Sequence, residues 1–419
     1  MRKIVVRGGA ELTGEVAVGG SKNAALPILF AGIVTEETCV FYNLPRVSDV
    51  LRALEILHFL GARIAFEKSG EVSVDYAPVT PKTPPAALTS SIRGSVYLLG
   101  AMLARFGEAA LAGAGGCDFG VRPIDQHLFG FGKLGATEER AEGVLRLRAE
   151  EGLCGARIRL AMPSVGASAN LLIAASRAAG RTVIENAAAE PHIAALAAFL
   201  SAAGAHIEGV GTSTLTVIGV PRLHGARVTI IPDMIEAGTY LALGVACGGR
   251  VRVRGVCPAH LTALTDAFSE MGVGVEIGKD TIAVSAPEGY RGIDVETGPY
   301  PAFPTDLHPQ MAALFCLGGR AGSKGSVTEN VWESRFRYTE ELRRMGARID
   351  VEDRRAVFYP SALTSAKIKA PDLRGGAALL IAALSTRGIF EIDNAGAVAR
   401  GYEHLESKLR GIGARVQIY

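Results

Sequence analysis

The chain carries almost no net charge: 44 Lys and Arg against 42 Asp and Glu leave +2 over 419 residues. No cluster of Lys and Arg stands out, so neither a nucleic acid nor a membrane surface is an expected partner. Cysteines number only six and follow no regular spacing. That excludes a disulfide framework, and no Cys pair or His/Cys set has the spacing of a zinc site. A reducing cytoplasm fits this usage. Long apolar runs are missing as well. The longest, Ala24 to Val34, falls well short of the ~20 residues that span a bilayer and reads as a buried helix. Met1 to Gly9 enters a short strand directly, without the apolar region of a signal peptide.

What is present is the composition of a globular protein, 48% hydrophobic and 21% charged, in a chain long enough for two domains. Its organisation is a sixfold repeat: an amphipathic helix ends in Gly and a small residue, and a short strand usually follows. The marker glycines are Gly61, Gly135, Gly204, Gly272, Gly346 and Gly413, spaced 74, 69, 68, 74 and 67 residues apart. Each is expected to be the left-handed residue that ends its helix. A first half precedes each marker, as in Asn23 to Phe30 before Thr38 to Phe41, and Ala169 to Ala175 before Thr182 to Ile184. One unit is therefore helix, strand, helix, strand, strand, and two groups of three make two similar domains. A nucleotide-binding doubly wound sheet is disfavoured, because Gly272-Val273-Gly274 and Gly411-Ile412-Gly413 follow helices where a phosphate fingerprint follows a strand. The stretch Gly319 to Ser326 lacks Walker spacing and reads as a turn.

Ala114 to Asp125 is a loop by composition, with Gly115, Gly116 and Gly120 permitting tight bends. Pro123 then opens an apolar pattern (Ile124, Leu128, Phe129, Phe131, Leu134) suited to one helix face. Cys117 thus precedes a helix N-terminus and has Arg122 nearby. Both favour a thiolate, so Cys117 is the expected reactive thiol. Cys39, Cys154, Cys247, Cys257 and Cys316 are expected to be structural and buried. Polar groups also gather where the other repeats begin: Ser21-Lys22-Asn23, Arg93, Ser164, Asp233 with Glu236, Thr305-Asp306, and Asp372 with Arg374. Taken singly, Ser164 and Asp306 read as N-caps and Asp233 and Glu236 as first-turn acids. Taken together, helix starts aimed into one cleft suit a highly anionic small molecule.

At these residues the chain resembles the enolpyruvyl transferases. The likeness runs from Gly8-Gly9 and Ser21-Lys22-Asn23-Ala24-Ala25-Leu26-Pro27 to Arg400-Gly401-Tyr402-Glu403. Between these lie Gly115-Gly116-Cys117, Arg122-Pro123-Ile124-Asp125, Pro163-Ser164-Val165-Gly166-Ala167, Glu185-Asn186-Ala187-Ala188 and Phe303-Pro304-Thr305-Asp306. The resemblance implies an α/β fold of two inverse α/β barrels (a prism) built from six βαβαββ repeats, three per domain. Residues 22–230 would form the domain with the cysteine loop, and 1–21 plus 231–419 the second. The two would close on their substrates.

The implied reaction transfers the enolpyruvyl group of phosphoenolpyruvate to the 3'-hydroxyl of UDP-N-acetylglucosamine and releases phosphate, the first committed step of peptidoglycan synthesis. It uses no metal or organic cofactor and takes place in the cytoplasm. By resemblance, Cys117 donates the proton to the enolpyruvyl methylene and can carry the pyruvyl unit covalently. Asp306 is the base for the sugar hydroxyl. Lys22, Arg122 and Arg400 grip phosphoenolpyruvate, and Arg335 and Arg374 lie near its carboxylate. Asn23, Arg93, Arg122, Pro123, Ile124, Asp125, Gln126, Met162, Pro163, Ser164, Val165 and Val331 match UDP-sugar contacts. The chain departs from the family at Ala397, Ala189 and Ser334, where His, Arg and Asn are usual, and at Ala169 and His308, where polar non-basic side chains are favoured. Two competing readings are a UDP-sugar-binding paralogue without turnover and a transferase of the shikimate 3-phosphate type. The intact set Lys22, Cys117, Asp306 and Arg400 weighs against the first, and Cys117 against the second.

Overall fold

The computed structural model describes residues 3–113, 124–286, 289–318 and 323–419. The described residues divide into two compact units, one of 20–113 and 124–231, the other of 3–19 and 232–419. Each has its own apolar core.

Three helices form the centre of each unit. In the 20–231 unit they are α1 (Lys22–Ala31), α2 (Leu98–Phe106) and α3 (Val165–Ala175). In the 232–419 unit they are α4 (Met234–Cys247), α5 (His308–Leu317) and α6 (Leu373–Ser385). These helices are apolar almost all round, which is the pattern of a helix with no solvent face. In α6 every residue from Leu373 to Leu384 is buried, and in α1 every residue from Ala24 to Ala31. Side chains start three of them: Asp233 accepts from the N–H groups of Ile235 and Glu236 at 2.8 and 3.1 Å. Asp372 accepts from Arg374 and Gly375, both at 2.9 Å. Ser164 accepts from Ala167 at 3.3 Å. Each of these satisfies helix-end donors that would otherwise lack a partner.

The sheets lie outside the helices, as the strand pattern requires. In Arg250–Arg254 the two valines are buried and the three arginines exposed, so one face meets the core and the other meets water. Among the described residues there are five four-stranded sheets and one three-stranded sheet. One repeat shows the pairing scheme. Arg157–Arg159 runs parallel to Arg181–Glu185, which pairs antiparallel with Thr214–Ile218, which pairs antiparallel with His206–Glu208. A helix fills each crossover, giving βαβαββ. The repeat containing Glu108–Ala112 has three described strands. Two sheets are completed from far along the chain: Arg227–Thr229 joins Thr38–Tyr42, and Gly14–Ala17 joins Arg250–Arg254. Lys3–Gly8 inserts between Gly388–Asp393 and Arg415–Ile418.

All six marker glycines are left-handed, with φ of 110, 98, 106, 85, 97 and 98° in chain order. Two expectations need correction. Gly325 and Ser326 belong to a strand, Gly325–Thr328, because Gly325 without a Cβ lets the Phe315 ring of α5 pack against it. Cys154 is exposed and Cys247 and Cys257 are half-buried, while Cys39 and Cys316 are buried. Cys154 lies outside the named strands, in an isolated bridge to Ala179, and its N–H donates to Leu134 O at 2.9 Å. Among the described residues, no helix is long and apolar enough to cross a membrane.

Candidate active site

In the 20–231 unit the polar groups sit at helix starts. Lys22, the first residue of α1, pairs its Nζ with Asp49 Oδ2 at 3.1 Å, and both side chains are largely buried. Asn23 follows it, half-buried. Arg93 opens the short 3-10 turn Arg93–Tyr97. Burial lowers its pKa, yet a guanidinium of this kind remains a cation at neutral pH. The helix Asp125–Lys133 begins directly after Ile124. Gln126 on its first turn accepts the N–H of Met162 at 3.3 Å, which brings the 124–126 and 162–165 segments together. Pro163 leads into Ser164, the cap of α3, and Val165 is its first residue. Cys117, Arg122 and Pro123 lie outside the described residues.

Sequence reasoning missed His127 here. It is 4% exposed, and its Nδ1 faces Asn170 Nδ2 at 2.9 Å. Burial, and then the charge of Arg93, push its pKa down to about 3, so the ring is neutral. Asn170 Nδ2 also donates to Val96 O, while its Oδ1 accepts the Gly100 N–H, so the amide orientation is fixed. Nδ1 is then the accepting nitrogen, and the Nε2 edge abuts Gly166 in the first turn of α3.

The 232–419 unit holds a tighter cluster. Asp306 is expected as an N-cap on a local reading, but the cap position of α5 is Leu307, which makes no side-chain cap. The Asp306 carboxylate is instead shared by two guanidiniums. Arg335 Nη2 reaches Oδ1 at 2.6 Å, and Arg374 reaches Oδ2 through Nε and Nη2 at 3.1 and 3.0 Å. Both arginines are 3% exposed. Burial is the largest single effect on Arg374 and opposes its charge, but Asp306, Tyr402 and Asp233 together outweigh it, and the net pKa is raised. Arg374 Nη1 is buried without a hydrogen-bond partner among the described residues, an unmet donor beside the shared carboxylate. The Tyr402 ring lies 5.8 Å from its Cζ, and the Tyr402 hydroxyl meets Thr239 at 2.9 Å. Arg400, half-buried, precedes Tyr402 by two residues.

Two arginines share the one carboxylate of Asp306, with Asp233 also acting on Arg374, and such a cluster can take up an anion that competes with Asp306 for the guanidiniums. Of the expected residues here, Asp306, Arg335 and Arg374 come into direct contact. Val331 is tied to the same region through a residue the sequence reading did not find, the wholly buried Glu329.

An inverse α/β unit built of three βαβαββ repeats and present twice, with cationic helix starts, defines the enolpyruvyl transferase class. Residues 6–409 match the family described as EPSP synthase (3-phosphoshikimate 1-carboxyvinyltransferase), and the chain belongs to that family. Within it, the chain is 44% identical to UDP-N-acetylglucosamine 1-carboxyvinyltransferase 3 of Caldanaerobacter subterraneus, over 99% of both chains. It is 43% identical to UDP-N-acetylglucosamine 1-carboxyvinyltransferase of Halothermothrix orenii, over 100% of this chain and 99% of the relative. Among solved structures, the enolpyruvyl transferase NikO from Streptomyces tendae superposes with a TM-score of 0.89 at 26% identity, over 100% of this chain and 98% of the other. EPSP synthase from Acinetobacter baumannii shares the fold, with a TM-score of 0.75 at 18% identity over the full length of both chains.

Proposed function

We propose that this chain transfers the enolpyruvyl group of phosphoenolpyruvate to the 3'-hydroxyl of UDP-N-acetylglucosamine, with release of phosphate, as the first committed step of peptidoglycan synthesis. It is an enzyme acting on small molecules. The observation that carries the reading is identity of 41–44% over nearly the whole chain to relatives that bear this activity in their names. The Asp306, Arg335 and Arg374 cluster supports it chemically.

Adding an alcohol to an enol ether requires a base at the hydroxyl, an acid at the methylene and cations on the anionic groups. Asp306 takes the 3'-hydroxyl proton as that oxygen bonds to C2 of phosphoenolpyruvate, and Cys117 delivers a proton to C3. The tetrahedral adduct then loses phosphate by cleavage of its C–O bond. Loss of a C3 proton restores the double bond. Arg335 and Arg374 serve the carboxylate, and Lys22, Arg122 and Arg400 the phosphate. Asn23, Arg93, Ile124 to Gln126, Met162 to Val165 and Val331 serve the UDP-sugar. An arriving carboxylate would draw the guanidiniums from Asp306 and leave that group free to act as a base. A cytoplasmic location follows from the substrates.

The test is phosphate release from phosphoenolpyruvate with UDP-N-acetylglucosamine or shikimate 3-phosphate as acceptor. Release with the UDP-sugar alone is the expected result. Release with shikimate 3-phosphate, or UDP-sugar binding without release, would overturn the proposal.

A further inference from the structure

Glu329 stands just past the strand Gly325–Thr328 and is 0% exposed. A carboxylate so placed has lost its hydration and must be compensated by donors. Three are present. Oε1 accepts the N–H groups of Val331 and Trp332 at 2.8 and 2.9 Å, and Oε2 accepts the Thr305 hydroxyl at 2.9 Å. His308 also faces it, with Nε2 at 3.8 Å from Oε2. That ring is wholly buried, and burial holds its pKa well below the ordinary histidine range, so it stands there neutral.

The donors of Glu329 belong to two segments that the reaction needs. Thr305 is the neighbour of Asp306, and Val331 and Trp332 lead to Arg335. Arg335 closes the circuit from the other side, donating to Asp306 Oδ1 at 2.6 Å and to Thr305 O at 3.4 Å. The ring of contacts therefore runs from Glu329 through the 331–335 segment to Asp306 and back through Thr305. One side chain here accepts two backbone N–H groups and a hydroxyl at once, which ties the two segments to a single point.

We propose that Glu329 is a positioning residue: it clamps Thr305 and the 331–332 backbone so that Asp306 and Arg335 keep the geometry in which Asp306 serves the sugar hydroxyl. This rests on the transferase reading given above. Glu329 touches no reacting atom. Its loss acts on turnover through Asp306, since misplacing a catalytic group by about 1 Å can lower rates by up to ~100-fold.

Trp332 is the single tryptophan of the chain, so its fluorescence reports the clamped segment independently of activity. The experiment compares Thr305→Val, Thr305→Ser, Glu329→Gln and the double variant Thr305→Val/Glu329→Gln. It reads kcat and KM for each substrate, and acrylamide quenching of Trp332 in protein shown to be folded by circular dichroism. Thr305→Val is expected to lower kcat about tenfold while KM for the UDP-sugar stays within about twofold, and Thr305→Ser to recover most of the loss. Glu329→Gln should lower kcat and increase Trp332 quenching. The double variant should be no worse than Glu329→Gln alone, because both changes break the same clamp. Wild-type kcat in Thr305→Val, failure of Thr305→Ser to recover, multiplied losses in the double variant, or unchanged quenching in Glu329→Gln would each overturn the proposal. Absence of phosphate release by the wild-type protein would instead overturn the transferase reading, while the quenching comparison would still decide whether the clamp exists.

Discussion

Asp306 holds two arginines that are each 3% exposed, so its loss leaves two buried cations without their shared counter-charge. Asp306→Ala should therefore destabilise the 232–419 unit by about 3–5 kcal/mol. Asp306→Asn should destabilise it less, since an amide oxygen still accepts. Inorganic phosphate should return part of the stability lost by the Ala variant, because an anion can take the vacated place. Urea midpoints with and without phosphate check this; an Ala variant as stable as wild type would contradict the charge balance described here. Cys117, which lies outside the described residues, is tested through chemistry. If it is the acid, Cys117→Asp retains appreciable turnover and Cys117→Ala loses nearly all. An electrophilic epoxide that mimics phosphoenolpyruvate should label Cys117 first, and inactivation should follow that label. Exposed Cys154 is the competitor for such a reagent, whereas burial pushes the Cys247 and Cys316 thiols up to about 12. Mass spectrometry that places the inactivating label on Cys154 would refute the assignment.

At the scale of one element, the six marker glycines do the same job at unequal cost of replacement. Gly272 has φ +85° and open space where a Cβ would stand. Gly272→Ala should cost only the left-handed strain, about 1–2 kcal/mol. Gly61 has φ +110°, and a Cβ there would lie 2.6 Å from the carbonyl oxygen of Pro78. Gly61→Ala should therefore cost more than Gly272→Ala, and Gly272→Asn less than either, because Asn tolerates the left-handed region. Chemical denaturation of the three variants gives the order. Equal losses at Gly61 and Gly272 would show that the carbonyl contact relaxes.

At the scale of the whole molecule, each unit buries a histidine that burial holds neutral, His127 in one and His308 in the other, and acid should act on both. His127 has a folded pKa of about 3, well under the ordinary 6.5. Above pH 6.5 both folded and unfolded chains are neutral at this site, and its stability contribution is complete. Between about pH 6.5 and 3 the unfolded chain binds a proton that the folded chain refuses, so stability falls as pH falls, by about 1.4 kcal/mol per pH unit for the group. His308, shifted in the same direction, adds the same trend to the 232–419 unit. Unfolding at pH 7 and pH 5 should thus differ by about 2 kcal/mol through His127, with His308 adding in the same direction. His308→Gln, which removes the basic ring, should weaken the dependence of its own unit, where the pKa of His260 is also lowered by burial, and leave that of the 20–231 unit. A variant as acid-sensitive as wild type would remove His308 as a cause.

The amino-acid sequence alone determined the alternation of buried helices and short strands, the six helix ends and the family motifs. These rest on local physics: a period of apolar residues, a glycine that alone adopts positive φ at no steric cost, a run of residues along one loop. It did not determine what Asp306 does. As a single residue ahead of a helix it reads equally well as an N-cap, and only the fold decides that its partners are Arg335 and Arg374, 29 and 68 residues away. Lys22 with Asp49, His127 with Asn170 and Thr305 with Glu329 were hidden for the same reason, at separations of 27, 43 and 24 residues. So was the completion of sheets by Gly14–Ala17 and Arg227–Thr229, strands that enter from the far side of an intervening unit or domain length of chain. Such pairings follow no period and demand no particular residue type at either end, so they leave no trace in sequence order. They exist because burial strips water from charged groups and each must find its partner in whatever the fold brings near.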